Sequence, residues 1–227
     1  MRATCLAALC WVSAAGAFAG VEASAIKVDF LEESASADAR SMAQIAFEQG
    51  DAQGRPVAIV DKKNARIYVF GADGVLRGTT PVLLGLAKGD DSAPDIGKKA
   101  GGYIPSAERT TPAGRFDSEP GHNNKGEAIV WVDYDAAFAI HRLRPAHPAE
   151  RRPERLASPT PDDNRISQGC VIVSGAFFDQ VVGPTLGRQR GVVYVLPDQP
   201  ATMAQAPLAQ TKLATSVTPA TAPLPKL

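Results

Sequence analysis

Cys170 and His141 are the residues of this chain whose side chains could carry out nucleophilic chemistry together. Cys170 ends the stretch Ser-Gln-Gly-Cys at 167–170, and His141 ends an apolar run. A cysteine nucleophile needs a base that takes up its proton, because a free thiol with a pKa near ~8.5 is only slightly ionised at neutral pH. His122 and His147 lie in polar, turn-like stretches, and we expect them at the surface. His141 is therefore the candidate base.

The N-terminus predicts a secretory signal peptide over residues 1–25. An uncharged, Ala-rich run follows Arg2, with small-residue cleavage sites ending at Ala19 and at Ala25. An uncleaved membrane anchor is the alternative, since the run approaches the ~18 residues that span a bilayer. Ala and Gly insert weakly, which favours cleavage. We expect an exported chain, located in the periplasm or cell envelope.

Cleavage removes Cys5 and Cys10 and leaves Cys170 as the single cysteine of the mature chain. Exported cysteines usually pair in their oxidising compartment. A lone thiol there is a buried hydrophobic residue, an intermolecular cross-link or a nucleophile, and the cysteine alone does not decide among the three. Gly169 is compatible with the third role, because a glycine lets the backbone approach a substrate carbonyl and the N–H groups of Gly169 and Cys170 can form an oxyanion hole, but on its own it leaves all three roles open.

The chain as a whole predicts one mainly β domain over residues 55–197. Its 227 residues are 44% hydrophobic, enough for one core, and its 24 basic residues equal its 24 acidic ones, so no global charge attracts nucleic acid. Short β-branched and aromatic runs predict strands at 56–61, 65–70, 75–85, 128–134, 137–141 and 191–197. A lead-in at 26–54 carries a short helix over 37–47, and an Ala, Pro and Thr-rich tail fills 198–227.

Two further features concern the surroundings of these strands. In the second strand, Arg66, Tyr68 and Phe70 share one face and Ile67 and Val69 the other. Long irregular loops cover 87–109 and the segment between His141 and Cys170, and a helix capped by Ser174 is expected to stop at Gly183-Pro184.

The order of these blocks resembles the catalytic domain of L,D-transpeptidases, the YkuD-like family of peptidoglycan-remodelling cysteine enzymes. The resemblance runs over most of residues 57–196. It rests on the opening AIVDKKNARIYVF, then TTPAGRF at 110–116, AIH at 139–141, SQGC at 167–170 and the closing GVVYVLP. It implies an L,D-transpeptidase-like β-sandwich or barrel with one or two short helices and a long active-site loop.

The resemblance also implies roles for individual residues. Cys170 would attack a carbonyl of a peptidoglycan stem tetrapeptide and form a thioester, which is then transferred to an amine. His141 would be the base, oriented by the backbone carbonyl of Arg142, and the Gly169 and Cys170 amides would hold the oxyanion. Ser167 and Gln168 would line the substrate site. No metal or cofactor is implied, and we expect a monomer.

Three residues depart from the family pattern, of which only Ile172 bears on substrate anchoring. Gln168 stands where many members have His, Arg142 where Gly or Ser is common, and Ile172 where many have Arg or Asn. Ile172 offers only apolar contact, so we expect a slower enzyme or one whose anchoring has moved to a loop arginine such as Arg165.

The segment between His141 and Cys170 contains six arginines, at positions 142, 144, 151, 152, 155 and 165. It is either a solvated loop with local ion pairs or a lid whose arginines bind stem-peptide carboxylates. An L,D-carboxypeptidase and a non-catalytic wall-binding protein on the same scaffold are the alternative functions.

Overall fold

The computed structural model describes residues 26–199. The predicted signal segment, residues 1–25, lies outside the described residues, as does the predicted tail after residue 199. In the described range, the mainly β fold that the sequence predicts is confirmed, with ten strands and few, mostly short helices. No helix in this range is long and apolar enough to cross a membrane.

The strands are β1 (Val57–Asp61), β2 (Arg66–Phe70), β3 (Leu76–Pro81), β4 (Leu84–Gly85), β5 (Gly114–His122), β6 (Ala128–Asp133), β7 (Phe138–Arg142), β8 (Arg165–Ser167), β9 (Val171–Val173) and β10 (Gly191–Val195). The helices are α1 (Ala37–Phe47), α2 (Ile96–Lys99), α3 (Arg152–Ala157), α4 (Gly175–Phe177) and α5 (Gly183–Thr185), with a π-helical turn at Phe178–Val182 between the last two.

Eight strands form one sheet in the order β3-β2-β1-β10-β5-β6-β7-β9. The pairs β1–β10 and β7–β9 are parallel, and the other neighbours are antiparallel. Leu83, just past the β3 edge, exchanges two backbone hydrogen bonds of 2.9 Å with Ile172 of β9 at the opposite edge. The sheet is therefore nearly closed on itself, and a small parallel pair, β4–β8, lies beside the junction.

Both faces of the sheet centre are buried, which explains the continuous apolar runs of β1 and β10. In β1, Ala58 and Val60 belong to the core enclosed by the sheet, whereas Val57 and Ile59 belong to a second cluster under α1. Helix α1 begins after Ser36, whose hydroxyl accepts the Ala39 N–H at 3.1 Å. The predicted lead-in is thus packed against the sheet.

Two local predictions hold, one is wrong, and one strand was not predicted. Helix α1 has the predicted bounds, and β2 has the predicted faces, with Ile67 in the enclosed core and Tyr68 under α1. The helix after Ser174 does not stop at Gly183-Pro184. It continues because the preceding π turn places the Gly183 N–H on the Phe178 carbonyl, and Pro184, which has no N–H, fits into the next turn. Strand β5 was not predicted.

Candidate active site

Cys170 and His141 are brought together by two parallel strands. Strand β7 pairs with β9 in a register that places Ile140 opposite Val171 and His141 opposite Ile172. Because paired residues of neighbouring strands point to the same face, Cys170, immediately before β9, shares its face with His141. That face is opposite to the enclosed core, to which Ile140 and Val171 belong.

The turn that carries Cys170 is fixed by hydrogen bonds and by a glycine. The Ser167 hydroxyl accepts the Gly169 N–H at 3.0 Å and donates to the Cys170 carbonyl at 2.7 Å. Gly169 has a φ of +134°, and a Cβ there would lie 2.9 Å from the Thr110 carbonyl oxygen. The turn therefore requires glycine at this position.

Thr111 links this turn to the neighbouring loop. Its hydroxyl donates to the Gly169 carbonyl at 2.8 Å and accepts the Gly85 N–H at 2.8 Å. The whole Thr111 side chain is buried. Cys170 is thus positioned from both sides, by its own turn and by the TTPAGRF segment.

The His141 side chain is buried, and a backbone carbonyl fixes the orientation of its ring. Its Nδ1 lies 2.7 Å from the Arg142 carbonyl oxygen, the contact that the family resemblance implies. Burial lowers the pKa of His141 from 6.5 to about 4, and the charges of Arg144 and Arg152 act in the same direction, against the Arg142 carbonyl and Glu127. The imidazole is therefore neutral at pH 7. A carbonyl can only accept, so Nδ1 carries the proton and Nε2 is left as the basic atom.

Cys170 is likewise buried, and its thiol is 3.6 Å from the Ala137 carbonyl oxygen. Burial raises the pKa of the Cys170 thiol, against a hydrogen bond from the Ala139 backbone and the charge of Arg144. The resting pair is a neutral thiol beside a neutral imidazole. The described site therefore holds no stored thiolate at neutral pH.

A cavity of about 270 Å³ opens over these two side chains. The predicted loops form its walls. Its lining is Ser92, Ala93, Ile96, Ala100, Ile104, Glu108, Thr110, Pro112, Ala136, Ala137, Phe138, His141, Arg144, Pro145, Ala146, Arg152, Ser167, Gln168, Gly169, Cys170 and Ile172. Ile172 is buried in the wall, and Gln168 is exposed at the edge.

The structure corrects two assignments near the cysteine. Arg165 does not line the cavity, because its buried guanidinium donates to Asp198 at 2.5 Å and to the Lys62 carbonyl at 3.1 Å. Arg165 is therefore not the anchor that the sequence suggests. The Gly169 N–H is occupied by the Ser167 hydroxyl in this state, so it is not a free oxyanion donor.

Arg165 instead belongs to a buried ionic network that contains Lys62, Asp90 and Asp198. The Lys62 side chain is fully buried, and its Nζ lies 2.7 Å from Asp90 and 3.5 Å from Asp198. Burial opposes ionisation of Asp198, yet hydrogen bonds from Arg165 and Gly89 hold the pKa of its carboxyl below the usual value. Asp198, the first residue of the predicted tail, is thus bonded into the domain.

The network also holds the base of the long loop. Lys62 Nζ donates to the Gly89 carbonyl at 2.6 Å and to the Thr111 carbonyl at 2.9 Å. Thr111 also donates to the Gly169 carbonyl, so this single residue connects the ionic network to the turn that carries Cys170.

Arg144 and Arg152 line the cavity, but the sequence did not distinguish them from the other four arginines of the segment. The signal available was only their place in a basic segment, which also contains Arg151 and Arg155 outside the cavity lining. Within residues 26–199, no group of three or more His, Cys, Asp or Glu side chains is arranged to hold a metal ion.

No protein-family model matches the chain, and no curated protein does. Among solved structures, the chain is similar to the L,D-transpeptidase of Xylanimonas cellulosilytica DSM 15894, with a TM-score of 0.38 and 14% identity over 63% of this chain and 60% of that chain. An L,D-transpeptidase from Mycobacterium smegmatis gives 0.36 and 15% over 63% and 58%. The helical cell shape determining protein Pgp2 from Campylobacter jejuni gives 0.40 and 14% over 64% and 48%.

The chain spans between 48% and 60% of the length of these three structures. The solved structures to which it is similar thus include L,D-transpeptidases, the family that the order of its sequence blocks resembles.

Proposed function

We propose that this protein is a cysteine acyltransferase that forms a thioester on Cys170 and remodels peptidoglycan stem peptides outside the cytoplasmic membrane. One observation carries the proposal. A neutral His141, fixed through Nδ1 to the Arg142 carbonyl, lines the same cavity as the single cysteine of the described chain. The substrate class and the export come from the sequence, through the resemblance and the N-terminal segment.

The reaction balances with these groups alone. The Cys170 sulfur attacks the carbonyl carbon of the donor amide while its proton passes to Nε2 of His141. The C–N bond breaks, the leaving amino acid takes that proton, and the acyl group remains as a thioester. An amine of a second stem peptide then attacks the thioester, gives up a proton and restores the thiol. Water in place of the amine yields a carboxylate, which is the L,D-carboxypeptidase outcome.

The full chain incubated with a purified stem tetrapeptide tests the proposal. We expect release of the terminal amino acid, together with a cross-linked product or a tripeptide, detected by mass spectrometry. Cys170→Ala should abolish the release, and His141→Gln should reduce its rate by about 10²–10⁴-fold. His147→Gln is the matched control, since His147 is exposed and outside the cavity lining.

The products decide among the remaining functions. Tripeptide without cross-link assigns the carboxypeptidase reaction. Binding of the tetrapeptide without release, unchanged in Cys170→Ala, replaces the proposal with a wall-binding protein.

A further inference from the structure

Two arginines share the cavity with Cys170, and both are held in the same way. The Arg144 Nε donates to Glu127 at 2.6 Å, and the Arg152 Nε donates to Glu150 at 2.5 Å. Of the guanidinium nitrogens of its arginine, each glutamate accepts a hydrogen bond only from Nε. The terminal Nη atoms of both arginines have no hydrogen-bond partner among residues 26–199.

Of the two arginines, Arg144 is the stronger candidate for binding an anion. Its Nη2 is buried without any partner, which is costly for a charged donor. The side chain as a whole is 23% exposed, and Arg144 lines the cavity. A guanidinium whose fork is open on one side matches a carboxylate in geometry and in charge.

The charge of the cavity favours the same ligand. Glu108 is the one acidic residue in the lining of this cavity, as far as the described chain shows, and Lys99 pairs with it at 2.5 Å. Arg144 lies close enough to influence both Cys170 and His141, since its charge lowers the pKa of each. The cavity lining therefore contains two cations, Arg144 and Arg152, while their partners Glu127 and Glu150 lie outside it.

We propose that Arg144 is a specificity residue that binds a carboxylate of the acyl donor next to the scissile bond, with Arg152 supporting it. The proposal rests on acyl transfer at Cys170. A leaving amino acid with a free carboxylate places that group about one residue, ~3.8 Å, beyond the scissile unit. Such a site takes donors that end one residue after the attacked carbonyl and discriminates against internal peptide bonds, where the carboxylate is replaced by an amide.

Alkylation of Cys170 tests this without turnover. Iodoacetate carries a carboxylate next to its reactive carbon, and iodoacetamide carries a neutral amide there. The rate ratio of the two reagents, read on the Cys170 peptide by mass spectrometry in the full chain, cancels any change in thiolate fraction. In Arg144→Gln we expect the iodoacetate to iodoacetamide ratio to fall about ten-fold or more, as expected for loss of a charge-assisted hydrogen bond. Arg144→Lys should retain part of it.

Arg155→Gln is the matched control. Arg155 lies in the same loop, donates to the Glu150 and Asp163 carbonyls, and does not line the cavity. Its ratio should equal that of the unchanged protein. An unchanged ratio in Arg144→Gln and Arg144→Lys overturns the proposal and leaves Arg144 as a loop anchor for Glu127.

Turnover adds a second readout, with the tetrapeptide compared to its C-terminal carboxamide. Arg144→Gln should lower kcat/KM for the acid while changing that for the carboxamide little. If the wild type releases nothing but the alkylation ratio still depends on Arg144, acyl transfer fails and the carboxylate site stands. If turnover is present and the acid-to-carboxamide preference is the same in Arg144→Gln, the carboxylate site fails and acyl transfer stands.

Discussion

Replacing Asp198 with Asn should destabilise the protein by about 3–5 kcal/mol, the usual cost of removing one partner of a buried ion pair. The network contains two cations, Lys62 and Arg165, and two anions, Asp90 and Asp198. Lys62 and Arg165 have side-chain exposures of 0% and 6%. The substitution leaves one positive charge uncompensated where water does not reach, so the Coulomb term is lost and the desolvation cost remains.

For a domain of this size, about 3–5 kcal/mol corresponds to a fall in melting temperature of about 6–20 °C. Thermal unfolding of the full chain, followed by circular dichroism, measures it. Asp117→Asn is the matched control. Asp117 also contacts two cations, Arg55 and Arg115, but its side chain is 53% exposed, so we expect a loss of about 0–1 kcal/mol.

A double variant separates the ionic effect from general damage. In an Arg165→Gln background, Asp198→Asn should cost less than in the unchanged protein, because the charge it would strand is already gone. Chains ended after residue 197 and after residue 199 offer a second comparison, with the shorter one less stable. A melting temperature for Asp198→Asn within the range of Asp117→Asn would refute the reasoning.

Three further predictions concern the site. The iodoacetamide rate at Cys170 should keep rising through pH 9, because the pKa of the thiol is raised by burial; a plateau at neutral pH that His141→Gln removes would point to a stored thiolate instead. Gly169→Ala should cost about 1–3 kcal/mol in denaturant unfolding, because its φ is +134°, while Gly175→Ala, with nothing within 4 Å of its Cβ, should be near neutral. His141 has a pKa of about 4 when folded and 6.5 when unfolded, so it has no effect above pH 6.5 and opposes folding as the pH falls towards 4. The pH 7 to pH 4 loss in unfolding free energy should be smaller in His141→Gln, by about 3 kcal/mol.

The sequence predicted the features that depend on local pattern. Helix α1 has a cap at Ser36 and small apolar residues at helical spacing, and β2 alternates strictly, so neighbouring residues were enough to define both. That His141 and Cys170 lie together could also be predicted, from an order of motifs that resembles one family. Its physical basis, the parallel register of β7 and β9, was not.

Features set by distant partners could not be predicted. Arg165 and Asp198 are 33 positions apart in the chain, and nothing near Arg165 indicates that its charge is already satisfied. Arg144 donates to the Glu127 carboxylate and lines the cavity, whereas Arg155 donates to backbone carbonyls outside it, and the local sequence distinguishes neither. Strand β5 was missed because Pro120 and its glycines are typical of turns, and pairing with β10 and β6 overrides that preference.

The position of β10 has a consequence for how the protein acquires its structure. The last strand of the described residues lies at the centre of the sheet order, between β1 and β5, and in that order it joins the β1–β3 half to the β5–β9 half. Until residues 191–195 are available, the two halves can meet only at the Leu83–Ile172 hydrogen bonds and at the β4–β8 pair. Contacts of such large sequence separation close late and slowly, so we expect folding in milliseconds to seconds, after the whole domain has been synthesised. Cys170 and His141 lie in one half, whereas the loop that lines their cavity is tied at Gly89 to Lys62 in the other, so we expect the cavity to be complete only after β10 has joined the sheet.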